Sequence, residues 1–232
     1  MSSMRYKWVL FDIDDTLLDF GHAARKAFSS MLEHLHIVEE SHYYESYQVC
    51  NHAAWAALEA GKINAQQLRR QRFADFQEAV GLVGILDPAA MNALFLEHVV
   101  QHTLPVQGAL TLLAQLQPRV GMGVITNGLR EVQRPRMQKA GMEAYFSAIV
   151  VSDEIGLAKP DPLFFAYAHE AIGLPPKEQV LVVGDSLVSD VRGGMDFGFA
   201  ACWFNPDRKP NPSGMAMTHE IERLEEVGTL LG

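Results

Sequence analysis

Apolar residues gather along this chain in five short runs, each closed by turn-forming or polar residues. The runs are Trp8-Val9-Leu10-Phe11, Val120 to Thr126, Ala148 to Ser152, Val180 to Val183 and Ala200 to Phe204. Val180-Leu181-Val182-Val183 and Gly123-Val124-Ile125 are nearly continuous and rich in β-branched residues, the pattern of strands covered on both faces. Stretches of helical period, such as Gln133 to Ala140 and Phe164 to Ala171, lie between the last four runs. Strands alternating with helices predict an α/β fold built on a doubly wound parallel sheet.

The interval from Leu17 to about Thr103 has a different pattern. Ala23 to Leu35, Tyr43 to Glu59, Ala65 to Val80 and Ala89 to His102 all show helical periodicity, and no run in it resembles a strand. Gly61-Lys62-Ile63-Asn64 and Asp87-Pro88 supply breaks and an N-cap. Such a block is far too long for an ordinary connection between a strand and a helix. The expected organisation is therefore a core from residues 1–17 and 104–232, interrupted by an inserted helical domain at 18–103. His34, His36, His42, Tyr43, Tyr44, His52 and Trp55 fall within that insertion, and at helical spacing they are expected in its core or on its solvated face. Asn205 to Pro212 forms a Pro-rich loop, and Ile221 to Leu231 is expected as a helical tail.

Composition narrows the class further. Of 232 residues, 48% are hydrophobic and 20% charged, as in a globular chain rather than a disordered one. Nineteen Lys and Arg against 28 Asp and Glu leave a formal charge of −9. That balance lacks the positive field that sequence-independent binding to a nucleic-acid polymer uses. Cys50 and Cys202 are the only cysteines, too few for a disulfide framework, and each is expected as a small buried hydrophobe. No segment approaches the ~18 apolar residues of a membrane span. The opening residues do not resemble a secretory signal, so a cytoplasmic protein is expected.

Candidate chemistry collects where the strands end, which is where open α/β sheets bind ligands. The first run ends in Asp12-Ile13-Asp14-Asp15-Thr16, and alternation would turn Asp12 and Asp14 to one side. Ile125-Thr126-Asn127-Gly128 puts a hydroxyl, an amide and free backbone N–H groups ahead of a helical pattern, an anion-binding corner. Lys159 precedes Pro160-Asp161-Pro162, with Asp161 as N-cap and Pro162 as the first helical residue. Gly184-Asp185-Ser186 closes the most hydrophobic run, and Asp190 falls near the start of the next helix. Clustered carboxylates repel unless a cation or a proton sits among them. An all-oxygen set of this kind suits Mg²⁺, which keeps positions open for water and phosphate.

In this order, Asp12/Asp14/Thr16, Thr126, Lys159 and Asp185/Asp190 resemble the signature of the haloacid dehalogenase-like (HAD) hydrolase superfamily. The resemblance covers the whole chain, and the helical insertion is similar to the cap of one of its branches. It implies a Rossmann-like core with Asp12 as nucleophile and Asp14 as acid and base. Lys159, Thr126 and Asn127 would hold phosphate. Mg²⁺ would be bound by the side chains of Asp12 and Asp185 and by the main-chain carbonyl of Asp14, with Asp190 and Thr16 in support. An acid at position 14 resembles the phosphotransferase branch rather than the dehalogenases, and Asp15 departs from the Gly more usual there. Ile125 to Gly128, Ala158-Lys159-Pro160 and Ala201 to Asn205 are similar to bacterial pyrimidine 5′-nucleotidases. The implied substrate is a small phosphate monoester such as dUMP, UMP or dTMP, and the implied assembly a monomer or weak homodimer. The alternatives are a sugar-phosphate phosphatase, a phosphomutase, or a regulatory binding module on an inactive scaffold.

Overall fold

Parallel strands bring the five apolar runs together, and a sixth strand joins them at one edge. In this computed structural model, residues 5–84, 86–212, 214, 215 and 217–232 are described. The chain begins with β1 (Trp8–Phe11), followed by α1 (Phe20–His34), α2 (Tyr43–Glu59), α3 (Ala65–Ala79) and α4 (Pro88–Gln101). Next come α5 (Ala109–Leu116), β2 (Gly121–Thr126), α6 (Arg130–Lys139), β3 (Ala148–Val151), α7 (Ser152–Ile155) and α8 (Pro162–Ala171). The last elements are β4 (Val180–Gly184), α9 (Gly193–Phe197), β5 (Ala200–Phe204), β6 (His219–Ile221) and α10 (Val227–Leu230).

The sheet order is β3-β2-β1-β4-β5-β6, and every neighbouring pair is parallel. The chain winds outward from β1 in both directions, so the order reverses between β1 and β4, the place where such sheets open a binding crevice. Register sets Phe11 opposite both Val124 and Val183, which brings the ends of β1, β2 and β4 level with one another. Both faces are covered. Val9, Phe11, Leu181 and Val183 pack with Leu112, Leu116 and Met137 on one side. Leu10, Val180 and Val182 pack with Phe164, Phe165 and Ala168 on the other. Period-two alternation along β1 and β4 produces this division.

Two features differ from the sequence expectation. Ile221 ends β6, paired with Phe204, so helical turns begin only at Leu224. Three residues with one buried apolar position are too short to show a strand period; pairing to β5 makes the strand. Helix α5 was not anticipated, although Ala109, Leu112, Leu113 and Leu116 line its buried face at helical spacing.

Contacts divide the described residues into two compact units, one from the stretches up to Phe20 and from Leu104 onward, the other Gly21–Thr103. The second unit is wholly helical. Asn64 caps α3 through a reciprocal bond with Gln67, and Asp87 caps α4 ahead of Pro88. Phe28, Tyr47, Phe73, Phe76 and Phe95 fill its interior, with the rings of Tyr47 and Phe73 stacked at 5.3 Å. Buried Arg72 donates to Asn51 and Asn92. His34, His36, His42 and His52 are exposed, Tyr43 is buried, and Tyr44 and Trp55 are half-buried. Among the described residues no helix is long and apolar enough to cross a membrane.

Candidate active site

Asp12 continues the ladder of β1, its N–H donating to the Val183 carbonyl at 2.9 Å. The chain then turns sharply. Asp15 has φ of 56°, a left-handed conformation that Gly adopts freely and Asp tolerates better than most residues. This explains why Gly can stand at such a position and why Asp can replace it. The Asp15 carboxylate accepts from the Phe20 N–H at 3.0 Å, and the buried Thr16 hydroxyl accepts from the Asp185 N–H at 3.1 Å. Thr16 thereby ties the loop after β1 to the end of β4.

Gly184 closes β4 at a place where a side chain has no room. A Cβ there would lie 2.2 Å from Oδ2 of Asp190. The Ser186 N–H donates to that same oxygen at 3.1 Å. Asp190 lies inside a π-helical turn, Leu187–Arg192, which precedes α9; such widened turns are frequent at functional sites.

Lys159 is delivered by the connection between α7 and α8. Asp161 caps α8 by accepting from the Leu163 N–H at 2.8 Å, and Pro162 opens the helix. Asn127 grips the Lys159 backbone at both ends: its amide donates to the Lys159 carbonyl and its oxygen accepts from the Lys159 N–H, each at 2.8 Å. The ammonium is buried and spends its three protons on Asp12 Oδ1 at 2.6 Å, Asp190 Oδ1 at 2.6 Å and the Ile125 carbonyl at 3.0 Å. Burial alone works against this charge, but Asp12 and Asp190 outweigh it and raise the lysine above its ordinary value.

Asp14 takes different partners, both on α6. Its Oδ2 accepts from Gln133 Nε2 at 2.9 Å and its Oδ1 from Arg136 Nη1. The same Gln133 amide donates to the Thr126 hydroxyl oxygen at 2.7 Å. Gly128 leaves the space this needs, because a Cβ there would lie 2.1 Å from Gln133 Nε2. Gln133 and Arg136 are both completely buried, and sequence reasoning passed over them. The available signal was a polar pair three residues apart on a helix face that also carries Val132 and Met137.

Asp12, Asp185 and Asp190 each offer a carboxylate oxygen, and the three lie within 4.8 Å of one another. One ammonium does not neutralise three carboxylates. Burial first, then Asp190 and Asp15, push Asp185 up to about 7, against the pull of Lys159. Burial likewise raises Asp12 well above the usual carboxyl range; Lys159 opposes this, while Asp190, Asp185 and Asp14 add to it. Both oxygens of Asp190 are committed to Lys159 and Ser186. Among the described residues no hydrogen bond reaches the Asp185 carboxylate or Oδ2 of Asp12. Oxygen donors carrying surplus negative charge in a buried place fit a hard divalent cation.

A buried acidic group and a buried lysine at the carboxyl edge of a parallel sheet, beside a turn of Thr, Asn and Gly, define the class. The chain belongs to the haloacid dehalogenase-like hydrolases, whose family model matches residues 6–198. It is similar at 32% identity to the pyrimidine 5′-nucleotidase YjjG of Escherichia coli (strain K12), over 98% of this chain and 99% of that one. It is 31% identical to the pyrimidine 5′-nucleotidase PynA of Streptococcus pneumoniae, over 97% and 94% of the two chains. The crystal structure of the HAD-hydrolase YfnB from Bacillus subtilis bound to magnesium superposes with a TM-score of 0.90 at 32% identity, covering 98% of this chain and 99% of that one.

Proposed function

We propose that the protein is a magnesium-dependent phosphomonoesterase acting on nucleoside 5′-monophosphates, pyrimidine nucleotides such as dUMP, UMP and dTMP foremost. The observation that carries this reading is the contact of Lys159 with Asp12 beside the carboxylate of Asp185. Two relatives of nearly full-length coverage named as pyrimidine 5′-nucleotidases support the substrate class.

In this reading an oxygen of Asp12 attacks phosphorus while the ester oxygen leaves. Asp14 gives that oxygen a proton, so an alcohol departs and an aspartyl-phosphate remains. Water then attacks the same phosphorus, Asp14 takes back a proton, and the acyl-phosphate bond breaks to release phosphate and free Asp12. Thr126 and the amides near Asn127 hold the phosphoryl oxygens, and Lys159 joins them by turning toward phosphate one of the N–H bonds it otherwise gives to Asp12, Asp190 and the Ile125 carbonyl. Asp190 and Asn127 keep Lys159 in place, and Thr16 holds the Asp185 loop. The side chains of Asp12 and Asp185, with the Asp14 carbonyl, would hold Mg²⁺, which when bound offsets the charge repulsion between carboxylate and phosphate. The helical unit takes the part of a cap that selects the leaving group.

A phosphate-release screen over nucleoside monophosphates, sugar phosphates and phosphoglycolate, with and without Mg²⁺, tests the proposal. Fastest release from pyrimidine nucleotides, dependent on the metal, is expected. Activity confined to sugar phosphates would replace the substrate class, and no release from any ester would remove the hydrolase reading.

A further inference from the structure

Arg136 is among the largest completely buried side chains, yet only its Nη1 finds hydrogen-bond acceptors, Asp14 and Oε1 of Gln133. Its Nε and Nη2 have no hydrogen-bond partner, and the Phe20 ring stands 5.5 Å from its guanidinium carbon. Burying a cation this incompletely satisfied is unfavourable, and because the Asp14 side chain is 31% exposed, an apolar residue of similar size in place of Arg136 strands no buried carboxylate. Val132 and Met137, buried on the same helix, show that an apolar residue would suit this face. Stability therefore does not account for Arg136, whereas its contact with Asp14 does.

Gln133 completes the arrangement. Its Oε1 accepts from Arg136 Nη1 at 2.8 Å, which fixes the amide plane and turns Nε2 toward Asp14 and Thr126. Thr126 Oγ1 then accepts from two donors, Gln133 Nε2 and the Gly128 N–H at 3.2 Å. Its own proton must point elsewhere. Each oxygen of the Asp14 carboxylate is likewise held by a donor from α6, Oδ2 by Gln133 and Oδ1 by Arg136.

We infer that Gln133 and Arg136 are positioning residues that fix the direction in which Asp14 exchanges its proton and Thr126 donates to a phosphoryl oxygen. This deepens the aspartyl-phosphate reading and rests on it. Arg136 acts on Asp14 and on the Gln133 amide. Gln133 acts on both Asp14 and Thr126, so its loss reaches phosphate binding as well as proton transfer.

The test measures steady-state rates, melting temperature and acid-quenched phosphoenzyme for the wild type, Arg136→Met, Arg136→Lys, Gln133→Leu and Asp14→Asn. Substrates are p-nitrophenyl phosphate, whose leaving group departs as a stable anion, and the best nucleotide from the screen above. Arg136→Met is expected to lower kcat by about 100-fold, as a misdirected reacting group does, with KM and melting temperature held or the latter raised. On p-nitrophenyl phosphate it accumulates phosphoenzyme after a burst of product; on the nucleotide, phosphoenzyme formation itself slows. Arg136→Lys recovers part of the rate, and Gln133→Leu also raises KM. Loss of activity in proportion to loss of melting temperature, without trapped phosphoenzyme, overturns the assignment. If the wild type and Asp14→Asn never label at Asp12, the parent reading falls. If they do label and the α6 variants partition like the wild type, only the positioning role falls.

Discussion

The Lys159 ammonium stands 2.6 Å from Oδ1 of Asp12, although 147 positions separate the two residues along the chain. The same ammonium reaches Asp190 at an equal distance, so one buried cation holds together the ends of β1 and β4. Stability and chemistry meet at this point.

In the proposed mechanism Asp12→Asn removes the attacking oxygen and leaves the hydrogen-bonding shape nearly unchanged. Turnover should fall by about 10⁴-fold or more, the scale seen when a nucleophile is removed, while the circular dichroism spectrum is preserved. Phosphate release at a few per cent of the wild-type rate would take the nucleophile's role from Asp12.

Lys159→Met leaves Asp12 and Asp190 buried without their counter-charge. Breaking a buried pair from one side costs about 3–5 kcal/mol, to be read by urea unfolding at pH 8. Burial already raises Asp12, and without Lys159 nothing opposes that shift, so its protonated form is preferred in the folded state, stability declines as pH rises and the deficit should shrink at pH 5.5. A variant as stable as the wild type at pH 8 would show that these carboxylates need no cation.

Mg²⁺ should raise the melting temperature of the wild type, since a ligand at 100 times its Kd stabilises by about 2.7 kcal/mol. Asp185→Asn removes a carboxylate that its neighbours repel. It should melt higher than the wild type in chelator and show no Mg²⁺ shift. A shift of undiminished size in Asp185→Asn would place the cation elsewhere.

Within the helical unit, Arg72→Leu strips Asn51 and Asn92 of their shared donor. Leaving a buried polar group unsatisfied costs about 1–3 kcal/mol. Hydrogen exchange should quicken in α2, α3 and α4 and stay unchanged in β4. Uniform acceleration through both units would mean that they unfold as one.

His219 accepts or donates a 3.0 Å bond with the Tyr6 hydroxyl. Burial, helped by Arg5, lowers its imidazole below the ordinary value. A base lowered on folding gives the unfolded chain the first claim on a proton. Its contribution is complete above pH about 6.5 and is lost as pH falls through the folded midpoint. Ring resonances should titrate below 6.5, and His219→Gln should flatten the acid side of the stability profile. A midpoint above 6.5 contradicts this.

Much of this protein was legible in one dimension. The five apolar runs became strands because continuous β-branched stretches suit only a sheet covered on both faces. Asp12, Thr126 and Asp185 were conspicuous because each stands at or directly after the last residue of a strand. Lys159 was marked by the cap that Asp161 and Pro162 announce. These are local signals, set by residue type and short spacing.

What remained hidden depends on segments that meet only in space. Gln133 and Arg136 looked like ordinary helix residues; folding α6 beside the turn after β1 gave them Asp14 to hold. Asn127 was marked as a phosphate ligand by its place after β2, and nothing in that local signal showed that its side chain would also grip the Lys159 backbone. β6 exists because β5 offers it a ladder. Sequence period dictates which way a strand or helix faces, and so determined the sheet and where its chemistry would collect. Which donor meets which acceptor depends on the paths of segments more than a hundred residues apart, and only the folded chain decides that.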